Sequence, residues 1–67
     1  MERIKQIEKL LRGLGFIYVS QAGSHKKWKD PATGLIVIIT YHQNKIDKYQ
    51  ARNTMKDVNN ILNKRKP

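Results

Sequence analysis

The sequence predicts an α+β fold of the order α-β-β-β-α, a three-stranded antiparallel sheet with two helices packed on one face. Three observations predict it. Apolar residues recur at helical spacing near both ends of the chain, at Ile4, Ile7, Leu10, Leu11 and Leu14 and again from Ala51 to Leu62. Between them lie three segments rich in β-branched and aromatic residues. Glycine and proline sit at the boundaries between these segments. A chain of 67 residues makes one domain, spanning 1–67, near the lower size limit for folding without a disulfide or a structural metal.

The first helix runs from Ile4 to Leu14, with Lys5, Glu8, Lys9 and Arg12 between its apolar positions. Gly13 and Gly15 supply its stop, because glycine takes the left-handed conformation that ends a helix. Phe16-Ile17-Tyr18-Val19-Ser20-Gln21 reads as the first strand, and Ala22-Gly23 turns the chain into a second, Ser24 to Lys29. Asp30-Pro31-Ala32-Thr33-Gly34 has the composition of a turn. Leu35 to Tyr41 follows as an apolar, strongly β-forming run. Asp47 is the expected cap of the last helix, with Gln50 reaching back as in a capping box. Ala51, Met55, Val58 and Leu62 line that helix's apolar face, with Ile61 beside them. Residues 63–67, Asn-Lys-Arg-Lys-Pro, read as a frayed basic tail. In a meander the third strand is an edge, and Leu35 to Ile39 is apolar on both faces. Such an edge invites cover by a helix, pairing with a partner chain, or pairing with a second copy.

Composition narrows the chemistry. There is no cysteine, which removes disulfides, thiolate metal sites and thiol nucleophiles, and suits the reducing conditions of a cytoplasm. No apolar run approaches the roughly 18 residues that span a membrane, and the charged start Met1-Glu2-Arg3-Ile4-Lys5 is unlike a signal peptide. The net charge of +9 points to a polyanionic partner, nucleic acid above all. An acidic membrane surface or an acidic protein are the rivals, and the β-rich middle of the chain argues against a membrane-surface helix.

The densest functional signal is Gly23-Ser24-His25-Lys26-Lys27-Trp28-Lys29. Strand alternation puts His25, Lys27 and Lys29 on one face and Ser24, Lys26 and Trp28 on the other. Trp28 is expected to turn toward the helices and the basic stripe toward solvent, where it would lie along a phosphate backbone. A plain solvated, lysine-rich strand explains the same residues without any function. An imidazole at His25 can take a proton from a ribose 2′-hydroxyl and return one to the leaving oxygen. Lysines 26, 27 and 29 can stabilise charge growing on the phosphorus. Glu2, Glu8, Asp30, Asp47 and Asp57 are scattered along the chain, with no clustering of the kind a two-metal nuclease uses. Cofactors are expected to be none. His42, at the end of the third strand, reads either as a strand-terminal polar residue or as a catalytic one. Tyr18, Tyr41 and Tyr49 read as base-stacking groups or, more simply, as the rim of the core.

A first helix ending near Leu14-Gly15-Phe16, Gly23-Ser24-His25 opening a strand, the aromatic Trp28, the turn at Pro31 and an apolar strand ending at His42 together resemble the HicA-type toxins. These are small mRNA interferases of toxin–antitoxin systems. The resemblance covers about Ile4 to Leu62. It departs at Thr40, Tyr41 and Gln43, where the family often has proline, a basic residue and glycine. It implies a double-stranded-RNA-binding-domain-like fold and a metal-independent ribonuclease whose key histidine is His25. It also implies a HicB-type antitoxin that binds the toxin and masks its active site. On this reading Ser24, Lys26, Lys27, Lys29 and His42 contact RNA, and the protein acts in the cytoplasm. A non-catalytic RNA-binding module of the same fold is the alternative, and a protein-interaction domain with an acidic partner is a third.

Overall fold

The computed structural model describes residues 2–65. In chain order it contains β1 (Glu2–Arg3), α1 (Ile4–Gly13), β2 (Ile17–Ala22), β3 (His25–Lys29), β4 (Ile36–Thr40), β5 (Lys45–Ile46) and α2 (Lys48–Lys64). The antiparallel sheet β2-β3-β4 between two helices is the expected α-β-β-β-α arrangement. What the sequence reading lacks is the small ladder in which β1 pairs with β5, Glu2 opposite Ile46 and Arg3 opposite Lys45. Two-residue strands are too short to leave a periodic signal.

Local chemistry explains the helix ends. At the end of α1 the Phe16 N–H donates to the Leu11 carbonyl at 2.9 Å and the Gly15 N–H to the Arg12 carbonyl at 3.0 Å. With Gly15 at φ 92° this is a Schellman cap. Leu11 and Phe16, the two positions such a cap brings together, are both buried in the core. Asp47 caps α2 by accepting from the Tyr49 N–H at 2.9 Å. Tyr49 is the second residue of the helix, and no bond joins Asp47 and Gln50 among the hydrogen bonds of the described residues, so Asp47 caps α2 without the expected capping box.

One core joins both helices to the inner face of the sheet: Ile4, Ile7 and Leu11 from α1, Trp28, Val37 and Ile39 from the strands, Ala51, Val58 and Ile61 from α2, with Phe16 and Ile46. Two expected faces are rotated slightly. Leu10 is exposed, and Glu8 takes the buried position beside Leu11. On α2 the buried stripe is Ala51, Thr54, Val58 and Ile61, while Met55 and Leu62 lie half-buried at its margin.

Asp30 organises the connection from β3 to β4. Its carboxylate accepts from the Thr33 hydroxyl at 2.8 Å and the Ala32 N–H at 3.4 Å, and its carbonyl accepts from the Gly34 N–H at 2.7 Å. The Arg65 guanidinium closes on the same carboxylate, Nη2 to Oδ1 at 2.7 Å and Nε to both oxygens at 3.2 Å. Arg65 also lies over the Phe16 ring, 5.3 Å from its centroid. The expected fraying at 63–65 is therefore not what the structure shows: α2 continues to Lys64, and Arg65 is anchored by a buried acid. Lys66 and Pro67 lie outside the described residues.

Two consequences are open to measurement. Hydrogen bonds from Arg65 hold the Asp30 carboxyl at about 2, below its ordinary 3.8. A depressed carboxyl adds stability that is complete above about pH 4 and lost as the pH falls to about 2. Unfolding free energy should drop through that window, and Arg65→Gln should remove much of the drop; an unchanged acid slope in the variant would assign it to another carboxylate. Separately, Gln43 and Asn44 form the two-residue turn between His42 and Lys45 with φ of 50° and 64°. Gln43→Gly relieves ~1–2 kcal/mol of left-handed strain against ~0.4–1 kcal/mol of added unfolded-state entropy. A net gain of roughly 0.5–1 kcal/mol is expected from urea unfolding.

Candidate functional site

β3 is the middle strand of the sheet, and its alternation sorts the seven-residue signal as expected. Trp28 is 1% exposed, edge-on to Tyr18 with ring centroids 5.7 Å apart, and the Arg12 guanidinium lies 5.4 Å from the indole centroid. Its Nε1 has no hydrogen-bond partner among the described residues. His25, Lys27 and Lys29 are exposed on the other face. Alternate residues of a strand lie about 6.7 Å apart, so the three side chains form a stepped column suited to successive phosphates.

Cross-strand register completes the surface. His25 stands opposite Ala22 and Thr40, Lys27 opposite Ser20 and Ile38, and Lys29 opposite Ile17 and Ile36. Directly paired residues share a face, so the basic column is flanked by Ile36 and Ile38 on one side and Ile17 on the other. The imidazole Nδ1 of His25 lies 3.0 Å from the Thr40 hydroxyl oxygen. A depression of about 100 Å³ opens beside the ring, lined by Ser20, Ala22, Lys26, Lys27 and Ile38. Ser20 reaches this face because the β2–β3 register shifts between Tyr18 and Ser20, leaving Val19 as the extra, exposed residue of a bulge. Ser20 and Thr40 are the site residues that the sequence reading missed. Hydroxyls on strands give no signal until the register says what they face.

The remaining expected contacts scatter. Lys26 lies on the inner face, its Nζ 3.1 and 3.2 Å from the two Glu8 carboxylate oxygens and 5.4 Å from the Tyr41 ring centroid. It braces α1 to the sheet and does not stand in the column. Ser24 occupies the β2–β3 turn after Gly23, whose φ is 58°, and its carbonyl accepts from the Tyr41 N–H at 3.0 Å. His42 is exposed beyond the end of β4, held by its backbone pair with Lys45. No side-chain hydrogen bond joins it to His25 among the described residues. Of the tyrosines, Tyr18 packs on Trp28, Tyr41 accepts from Gln21 Nε2 at 2.7 Å, and Tyr49 is exposed. Among the described residues no three His, Asp or Glu side chains come together as metal ligands, and no helix is long and apolar enough to cross a membrane.

A central strand with a buried tryptophan on one side and a histidine–lysine column on the other defines a small basic α+β domain. Residues 4–59 match the family model described as HicA toxin of bacterial toxin–antitoxin. The chain belongs to the HicA toxin family. No curated protein and no solved structure matches it significantly. The matched span contains α1, the whole sheet with the His25 column, and the His42 turn. It stops before Arg65, the residue that secures the end of α2 to Asp30.

The different surroundings of the lysines separate their effects. Lys26→Met leaves Glu8, which is 6% exposed, without its partner, and should cost about 1–3 kcal/mol in unfolding free energy. Lys27→Ala and Lys29→Ala, whose side chains are exposed, should leave unfolding within about 0.5 kcal/mol of the parent. Equal destabilisation by all three would contradict this division of labour.

Proposed function

We propose that this HicA-family toxin is an endoribonuclease that cleaves mRNA by acid–base catalysis at His25, without a metal cofactor. The observation that carries the reading is the column of His25, Lys27 and Lys29 on the exposed face of the central strand, with a depression at the imidazole. RNA lies along the column with phosphates against Lys27 and Lys29. His25 accepts the proton of a 2′-hydroxyl as that oxygen attacks the adjacent phosphorus. The lysine ammonium groups offset the charge that builds on the phosphoryl oxygens. The imidazolium then returns its proton to the departing 5′-oxygen, giving a 2′,3′-cyclic phosphate and a 5′-hydroxyl. DNA, lacking the 2′-hydroxyl, is not a substrate. Ser24 and His42 both lie at the His25 end of the column, at the β2–β3 turn and beyond β4, and contact RNA beyond the scissile bond, whereas Lys26 contributes from its ion pair with Glu8 by fixing the sheet.

The partner is a HicB-type antitoxin, and the encounter takes place in the cytoplasm. β4 has no second strand neighbour among the described residues, α2 lies against its inner side, and Ile36 and Ile38 face outward. An antitoxin with acidic and apolar side chains can cover these isoleucines and the lysines together, pairing along the β4 edge. That contact would block the His25 column while the complex lasts.

The deciding measurement incubates purified protein and His25→Ala with single-stranded RNA in the presence of a chelator. Cleavage by the parent, cyclic-phosphate ends, and loss of about 10²-fold or more in rate in the variant are expected. Equal cleavage by both proteins would remove His25 from the mechanism. Salt-sensitive binding without cleavage across varied RNA sequences would favour a binding module.

A further inference from the structure

We infer that Thr40 is a positioning residue for His25: its hydroxyl holds the imidazole by Nδ1 and leaves Nε2 as the nitrogen presented to the ligand. The inference deepens the ribonuclease reading and rests on it for the identity of that ligand.

The geometry starts from the backbone. His25 and Thr40 are directly opposite in the antiparallel ladder of β3 and β4, so their Cα positions are fixed by the sheet. Thr40 is β-branched, with few χ1 options, and half-buried where β4 ends. Its Oγ1 lies 3.0 Å from Nδ1, and no other side chain hydrogen-bonds this ring among the described residues. Opposite Thr40 across β3, the other neighbour of His25 is Ala22, which has no polar group to compete for the ring.

The chemistry selects the direction of that bond. When Nδ1–H donates to Oγ1, the bond survives both states of the ring. The neutral form keeps its proton on Nδ1, and the imidazolium adds one at Nε2. A proton can therefore arrive at and leave Nε2 without the ring rotating or the bond to Thr40 breaking. The opposite arrangement, with the hydroxyl donating to Nδ1, would have to be undone at each turnover once Nδ1 is protonated. A hydroxyl also orients the ring without adding a negative charge to a face that has to receive phosphates. Nε2 then remains without a hydrogen-bond partner among the described residues, free for a ligand.

The test uses Thr40→Val, which keeps the shape and β preference but loses the hydroxyl, and Thr40→Ser, which keeps the hydroxyl. ¹⁵N NMR of the imidazole, with His42→Ala used to assign the His25 signals, reads which nitrogen carries the proton in the neutral ring. The parent and Thr40→Ser should show the Nδ1–H tautomer, and Thr40→Val should shift toward Nε2–H, the form that free imidazole side chains favour. In the chelator assay Thr40→Val should lower kcat about 5- to 20-fold with little change in KM, part of the ~10²–10⁴ that a complete acid–base group supplies. Thr40→Ser should remain within about threefold of the parent. An unchanged tautomer in Thr40→Val, or an equal kcat loss in the valine and serine variants, overturns the inference. If the parent cleaves no RNA, the ribonuclease reading fails, and the tautomer shift alone then decides whether Thr40 sets the ring.

Discussion

The carboxylate of Asp30 is the constraint on which the arrangement rests. It is buried, yet it remains ionised because Arg65, Thr33 and the Ala32 amide all supply hydrogen to it. A charged group without such partners would be strongly disfavoured in that position. Satisfying it ties together parts of the chain that are distant in sequence. The β3–β4 turn is shaped around it, the end of α2 is drawn to it, and the same guanidinium covers Phe16 at the cap of α1. In a domain with so small a core, one well-connected polar anchor sets how the second helix lies on β4, and so how firmly the strand beside His25 is held.

On that frame, β3 serves two purposes at once. Its inward residues belong to stability: Trp28 fills the core, and Lys26 neutralises the buried Glu8. Its outward residues are in no ion pair among the described residues. Two of the five acids in the chain are committed to internal pairs with Lys26 and Arg65. Little negative charge is therefore left to offset the exposed column. This separation by side of the strand is why altering the site should leave the fold nearly unaffected.

Much of this could be read from the order of residues, and the reasons differ from element to element. The inward tryptophan and the outward histidine and lysines follow from a period of two in a short strand. The end of α1 was legible because Gly15 is the residue type its cap requires. The Lys26–Glu8 pair was hidden because the partners are 18 residues apart, and Arg65 is 35 residues from Asp30. Nothing local marks such pairs. Ser20 was hidden for another reason: the bulge at Val19 breaks the alternation, and a polar-apolar pattern does not announce where it will break. Thr40 reads as an ordinary strand residue until β4 is aligned against β3. The β1–β5 ladder was too short to register.

The two-residue turn of Gly23 and Ser24 carries a consequence for how this protein can vary over evolutionary time. Because it joins Ala22 directly to His25, it leaves no slack between β2 and β3. Adding or removing one residue there would rotate the following strand by half a period, sending Trp28 to solvent and the histidine into the core. Stability and chemistry would be lost in one event, with no intermediate state for selection to retain. Lineages can therefore exchange side chains along β3 one at a time, but the length of the turn is effectively frozen.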